Sequence, residues 1–172
     1  MPRNIEIKAR IDNLELLAAQ LATFADQGPI EIRQDDTFFN CEAGRLKLRA
    51  FSAHEGELIF YRRPDQLGPK ESFYVRSSSQ APDSLREALS LAYGQSGRVK
   101  KLRTLFLVGR TRVHLDIVED LGQFMELEVV LQDTEPARAG EHEARQLMQR
   151  LGVAATQLID AAYVDLLRKG DP

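Results

Sequence analysis

The feature that most constrains this chain is a charge pattern of period two. In segment after segment, charged residues alternate with aliphatic ones. Asn4, Glu6, Lys8 and Arg10 alternate with Ile5, Ile7, Ala9 and Ile11. Arg45, Lys47 and Arg49 alternate with Leu46, Leu48 and Ala50. Arg112, His114 and Asp116 alternate with Val113, Leu115 and Ile117, and Glu126 and Glu128 with Met125, Leu127 and Val129. Successive side chains of a strand point to opposite faces, so each segment reads as a strand with one charged and one apolar face. On a single strand, a charged face need only meet water. Repeated along the chain, the pattern demands that many apolar faces be buried and that the charged faces meet something in common.

Turn residues divide the pattern into eight expected strands: Asn4–Ile11, Ile30–Asn40, Arg45–Phe51, Glu57–Arg63, Lys70–Arg76, Arg98–Val108, Arg110–Val118 and Gly122–Leu131. Gly28-Pro29, Gly56 and Gly109 mark breaks between them. Helical spacing predicts a first helix after Asp12, which forms a capping-box pattern with Glu15 and is followed by Leu14, Leu17, Leu21 and Phe24. A second helix spans 82–93 and stops at Gly94. A third runs from Pro136 to Leu151 and stops at Gly152. A fourth runs from Thr156 to Arg168. The expected fold class is α+β: a closed eight-stranded antiparallel β-barrel with flanking helices, in one domain over residues 1–172. Eight strands suffice to close a barrel with room inside.

Strand parity then assigns the lumen. It collects Lys8, Arg45, Lys47, Arg49, Arg63, Lys70, Lys101, Arg103 and Arg112 as bases, and Glu6, Asp116, Glu126 and Glu128 as acids. Two like unit charges ~4 Å apart repel by about 4 kcal/mol at an effective dielectric of ~20, so such a lumen calls for an anion. Arg and Lys are natural phosphate ligands. The carboxylates suit a hard cation, Mg²⁺ or Mn²⁺. A cation between carboxylates and phosphate oxygens is a common phosphoryl-transfer arrangement.

Composition narrows the alternatives. The net charge of -3, from 23 basic and 26 acidic residues, argues against coating nucleic acid by bulk charge. The single cysteine, Cys41, cannot form an internal disulfide, and no Cys/His cluster offers a zinc site. No apolar stretch approaches the ~18 residues that span a bilayer, and no signal peptide is visible. A cytoplasmic monomer or homodimer with a small-molecule partner is expected, with neither nucleic acid nor membrane.

The motifs resemble those of the CYTH superfamily, the triphosphate tunnel metalloenzymes, along nearly the whole chain. Asn4-Ile5-Glu6-Ile7-Lys8 is similar to the family's Glu-x-Glu-x-Lys signature, and Asp36-Thr37-Phe38-Phe39 to its Asp-Thr-Tyr-Tyr-type segment. Gly44 to Arg49, Tyr61 to Asp65, Gly68 to Tyr74, Val99 to Arg103, His114-Leu115-Asp116, Leu121 to Glu128 and Tyr163 to Leu167 follow in order. The resemblance implies an antiparallel tunnel in which Arg and Lys grip a triphosphate while Glu6, Glu126, Glu128 and Asp116 handle metal. Lys8 and Lys70 are the expected catalytic residues. The class IV adenylate cyclase branch is favoured, converting ATP to cyclic AMP and pyrophosphate. A triphosphatase acting on tripolyphosphate, a nucleotide or thiamine triphosphate stands nearly level, and a non-catalytic polyphosphate-binding module is the third reading. Two departures stand out: Asn4 replaces the signature's first Glu, and Phe38-Phe39 replaces its tyrosines. The second makes thiamine triphosphate less attractive as a substrate.

Other residues receive plainer readings. His114 is expected beside Asp116 or a phosphate rather than as a base. His54 and His142 are solvent residues, Cys41 a bystander and Tyr163 a packing residue. Arg62 and Lys100 have the parity of the outer face. Arg10 has lumen parity at a strand end, and Ser72 and Tyr74 are candidates for the lining.

Overall fold

The structure, a computed structural model, describes residues 2–170. Met1, Asp171 and Pro172, at the ends of the expected 1–172 domain, lie outside the described residues. The strands are β1 (Arg3–Arg10), β2 (Gln27–Phe39), β3 (Arg45–Ser52), β4 (Glu55–Arg62), β5 (Lys70–Ser79), β6 (Gln95–Val108), β7 (Thr111–Val118) and β8 (Gly122–Leu131). The helices are α1 (Leu14–Ala22), α2 (Pro82–Tyr93), α3 (Ala137–Arg150) and α4 (Tyr163–Lys169). All eight expected strands are present, with ends displaced by at most three residues and the last strand as expected at both ends.

The strands close into an antiparallel ring in the order β1-β5-β4-β3-β2-β6-β7-β8. β1 completes the ring by pairing with both β5 and β8. The charged faces point inward, as parity requires. The apolar faces of β1, β7 and β8 point outward, where helices cover them. Ile5, Ile7, Val113, Leu115, Met125, Leu127 and Val129 are buried there beneath Leu14, Leu17 and Leu21 of α1 and Ala144 and Leu147 of α3. Gly140 sets the distance of α3: a Cβ there would stand 2.7 Å from both Ile5 Cγ1 and Leu131 Cδ2. A second cluster fills one end of the barrel, where β2 and β7 finish and β6 and β8 begin. Phe38, Ile59, Tyr61, Val99 and Phe124 pack there against Tyr163 and Val164 of α4.

Two helix boundaries differ from expectation. The first helix is capped by Asn13, whose Oδ1 accepts from the Leu16 backbone N–H at 3.1 Å, so the Asp12–Glu15 capping box is not formed. The expected helix from Thr156 to Arg168 is interrupted. A short 3₁₀ turn, Ala155–Gln157, is followed by extended chain, and α4 begins only at Tyr163. The cause is a gap in the ring. β1 pairs with β5 only from Arg3 to Glu6, so the edge of β1 beyond Glu6 has backbone groups to satisfy. Leu158 bridges to Ala9, and the Ile159 N–H donates to the Lys8 carbonyl at 3.0 Å. Tertiary pairing thus overrides a helical pattern. None of the helices among the described residues is long and apolar enough to cross a membrane.

Candidate functional site

A cavity occupies the interior of the barrel. Eight bases line it (Lys8, Lys47, Arg49, Arg63, Arg76, Lys101, Arg103 and Arg112), with four carboxylates (Glu6, Asp36, Glu126 and Glu128). Neutral residues of the lining include Asn4, Ser72, Tyr74 and Tyr163. The excess of positive charge expected from parity is therefore present, with one acid not expected there. This is Asp36, which is 1% exposed and accepts from the β3 bases Lys47 and Arg49.

One wall, made by β2, β3, β6 and β7, is built around two completed ion pairs, although Gln34 Oε1 of β2 is buried without a partner. Asp36 lies directly across from Arg49 in the β2–β3 ladder and accepts two hydrogen bonds from it, both 2.8 Å. Arg103 lies across from Asp116 and donates two bonds of 2.7 Å. Tyr163 Oη donates a further bond to Asp116 at 2.9 Å. Burial opposes ionisation of both carboxyls, but the neighbouring cations overcome it. Asp36 is held well below its ordinary range by Arg49 and Lys47, and Asp116 falls to about 2 beside Arg103 and Lys101. Lys101 has no such tight partner: its Nζ stands 3.9 Å from Asp36 and 4.0 Å from Asp116. Burial, reinforced by Arg103, pushes its ammonium well below the usual lysine range. Lys47 donates to Asp36 at 3.2 Å, and burial lowers it to about 8.

The other wall, made by β1, β7 and β8, is built differently. Glu6 sits directly opposite Glu128, and His114 directly opposite Glu126. Like charges across a ladder repel. Partial compensation comes from Lys8, 3.2 Å from Glu126, from Arg63, 2.7 Å from Glu6, and from Arg112, 3.0 Å from Glu128. Polar atoms remain unmatched: Asn4 Oδ1, Arg63 Nε and His114 Nδ1 are buried with no hydrogen-bond partner. His114, Glu126 and Glu128 each present a ligand atom within 4.8 Å of the others, so they could hold a metal ion. Burial and Arg103 push the His114 imidazolium down to about 4, leaving the ring neutral at pH 7. Burial opposes the charged form of Glu128 too, yet His114 and Arg112 bring its carboxyl to about 2.

Several expected site residues stand outside the cavity lining. Arg45 turns away to a fork with Asp165 of α4, at 3.2 and 2.5 Å. Lys70 is 1% exposed but donates to the carbonyls of Gln66 and Asp160, at 3.3 and 3.1 Å. Asp116 lies behind Arg103 and Tyr163 with both carboxylate oxygens engaged. Lys8, Lys47, Arg49, Arg63, Lys101, Arg103, Arg112, Glu6, Glu126 and Glu128 are brought together as expected. Two participants were missed. Asp36 has lumen parity on the second strand, but its same-face neighbours Ile32, Gln34 and Phe38 are uncharged and gave no alternation to read. Tyr163 is more than packing: besides its bond to Asp116, its ring lies 4.0 Å from Lys8 Nζ and 5.0 Å from Lys101 Nζ.

The CYTH domain family matches residues 2–163. Adenylate cyclase CyaB of Aeromonas hydrophila is 24% identical over 167 residues, covering 92% of this chain and 85% of that protein. The PH1012 protein of Pyrococcus horikoshii OT3 superposes with a TM-score of 0.82 at 20% identity, covering 95% of this chain and 98% of that one. HpAC1 of Hippeastrum, an adenylyl cyclase candidate with a dominant triphosphatase activity, superposes with a TM-score of 0.64 at 17% identity, covering 100% of this chain and 97% of that one.

Proposed function

The chain belongs to the CYTH domain family, and from that premise we propose that it is a metal-dependent enzyme that cleaves a triphosphate inside its barrel. The observation that carries this reading is the excess of eight bases over four carboxylates in one enclosed lining. Buried like charges are tolerable only when an anion meets them, and a triphosphate matches the number and spread of the cations.

We assign phosphate binding first to Lys101, Lys47 and Arg112. Lys101 is the least matched of the three, so it gains most from a new anion. Arg49 and Arg103 are committed to Asp36 and Asp116 and present their remaining donors from fixed positions. Glu126 and Glu128 would hold a divalent cation, with Glu6 beside them. Asp116 fits that role poorly, because its oxygens already accept from Arg103 and Tyr163. Bound there, Mg²⁺ or Mn²⁺ would supply charge to the phosphate oxygens. Lys8, whose ammonium lies 3.2 Å from Glu126 in the cavity lining, is the group we assign to stabilise charge developing on the reacting phosphate. Lys70 keeps a positioning role, since its donors hold the loop at Gln66 and the chain at Asp160.

The reaction we favour is conversion of ATP to cyclic AMP and pyrophosphate, in line with the Aeromonas relative. A second reading is hydrolysis of tripolyphosphate. It is favoured by the lining itself, in which charged side chains predominate, as a wholly ionic substrate requires. The deciding experiment gives ATP, GTP, thiamine triphosphate and tripolyphosphate to the protein with Mg²⁺, Mn²⁺ or chelator, and identifies the products. Cyclic nucleotide with pyrophosphate supports the cyclase, and diphosphate with phosphate the triphosphatase. Binding of these anions without turnover of any would overturn the enzyme reading.

A further inference from the structure

We infer that His114 is a direct metal ligand, making the cation site a mixed nitrogen–oxygen centre that prefers a first-row transition ion to Mg²⁺. The inference rests on the reading that Glu126 and Glu128 hold a divalent cation. Two features of the β7–β8 wall point to it.

The first is an unmatched atom. His114 is 5% exposed, and its Nδ1 has no hydrogen-bond partner. The nearest acid, Glu128 Oε1, stands 3.6 Å away, too far for a hydrogen bond. That separation suits two ligands of one cation. Nitrogen and carboxylate oxygen each lie ~2.0–2.2 Å from a transition ion, so their mutual distance falls near 3 Å.

The second is the division of labour within the carboxylates. Glu128 gives Oε2 to Arg112 at 3.0 Å, leaving Oε1 facing His114. Glu126 gives Oε1 to Lys8 at 3.2 Å and Oε2 more loosely to Arg103 at 3.4 Å. Glu128 thus keeps Oε1 towards the imidazole, Glu126 is held only loosely at Oε2, and one ligand atom from each of the three residues lies within 4.8 Å of the others.

The preference for a transition ion follows from the donor atoms, one ring nitrogen with two carboxylates. Imidazole suits transition ions, whereas Mg²⁺ favours all-oxygen surroundings.

The test uses Mn²⁺ as the probe, on metal-free protein with and without tripolyphosphate. Pulsed EPR on the wild type, prepared with ¹⁵N-histidine and with natural histidine, reads whether a ring nitrogen couples to the bound ion. A histidine-dependent coupling supports the inference and requires no variant. His114→Asn should then abolish the coupling and weaken Mn²⁺ by at least about tenfold, with Mg²⁺ affected less. Mn²⁺ that binds without nitrogen coupling, and is lost in Glu126→Gln, would overturn the His114 assignment while leaving the carboxylate site standing. No Mn²⁺ binding under either condition would remove both.

Discussion

The two walls of the barrel interior solve the same electrostatic problem in opposite ways. On the β2–β3–β6–β7 side, each buried carboxylate faces an arginine across the ladder and takes both of its bonds. On the β1–β7–β8 side, glutamate faces glutamate and histidine faces glutamate, and buried polar atoms lack partners. A satisfied pair costs little to bury and is expensive to break. An unsatisfied group is held at a cost that only a ligand relieves. The first wall therefore locks its carboxylates into closed pairs and leaves only Lys47 and Lys101 loosely matched, whereas the second leaves its carboxylates and imidazole open to a ligand.

The sharpest way to break this contrast is to remove one acid from each wall. Asp36→Ala would strand Arg49, with Lys47 and Lys101 close by, in a buried site. We expect a loss of about 3–5 kcal/mol in urea denaturation. Glu128→Gln removes a less deeply buried acid, and it also relieves the repulsion from Glu6. Its stability should change by about 1 kcal/mol or less, while turnover of any triphosphate falls steeply. Equal stability losses in the two variants would abolish the distinction.

Lys101 tests the boundary between the walls. It sits among the paired residues, yet its own contacts of 3.9 and 4.0 Å are loose. Lys101→Ala should weaken tripolyphosphate binding roughly ten- to hundredfold by calorimetry, because a charge-assisted bond is lost. The melting temperature should hold steady or rise, since a buried, poorly matched ammonium is removed. A large drop in melting temperature would place Lys101 with the structural pairs.

How far this division was legible in sequence depends on where each partner lies. Alternation along β1, β3, β7 and β8 showed which charges face inward, because strand parity is local. Cross-strand register is not local. Nothing near Arg45 announces Asp165, 120 residues away, so a parity-correct base left the lumen for α4. Asp36 was obscured by uncharged neighbours on its own face. Tyr163 was absorbed into a helical pattern that Leu158 and Ile159 break by completing the β1 edge. Asp36 and Tyr163 share one trait: each acts through a contact across elements, with Arg49 on the next strand and with Asp116 on β7, which local patterning does not show.

Tyr163 gives a smaller effect that sharpens the first wall. Tyr163→Phe deletes only the 2.9 Å bond to Asp116, whose fork with Arg103 remains. We expect a loss of about 1 kcal/mol in denaturation, with the Kd for tripolyphosphate nearly unchanged.

The smallest effect concerns protons. Burial, aided by Arg49, lowers the Lys47 ammonium to about 8, below the ordinary 10.5 of an unfolded chain. Between those values the unfolded state binds more protons than the folded one. Raising the pH from 8 towards 10.5 therefore adds stability to the unliganded protein through this group. Triphosphate binding needs the charged form, so its affinity should fall over the same interval. The two slopes have opposite signs, which separates lysine titration from general alkaline unfolding. A bound triphosphate would raise the lowered ammonium again, so binding near pH 8.5 should take up protons. Calorimetry in buffers of different ionisation enthalpy measures that uptake, expected to be on the order of one proton. Lys47→Arg should diminish it, because a guanidinium stays charged throughout the interval. Proton release on binding, or uptake unchanged in Lys47→Arg, would show that Lys47 is already charged and belongs with the closed pairs of its wall.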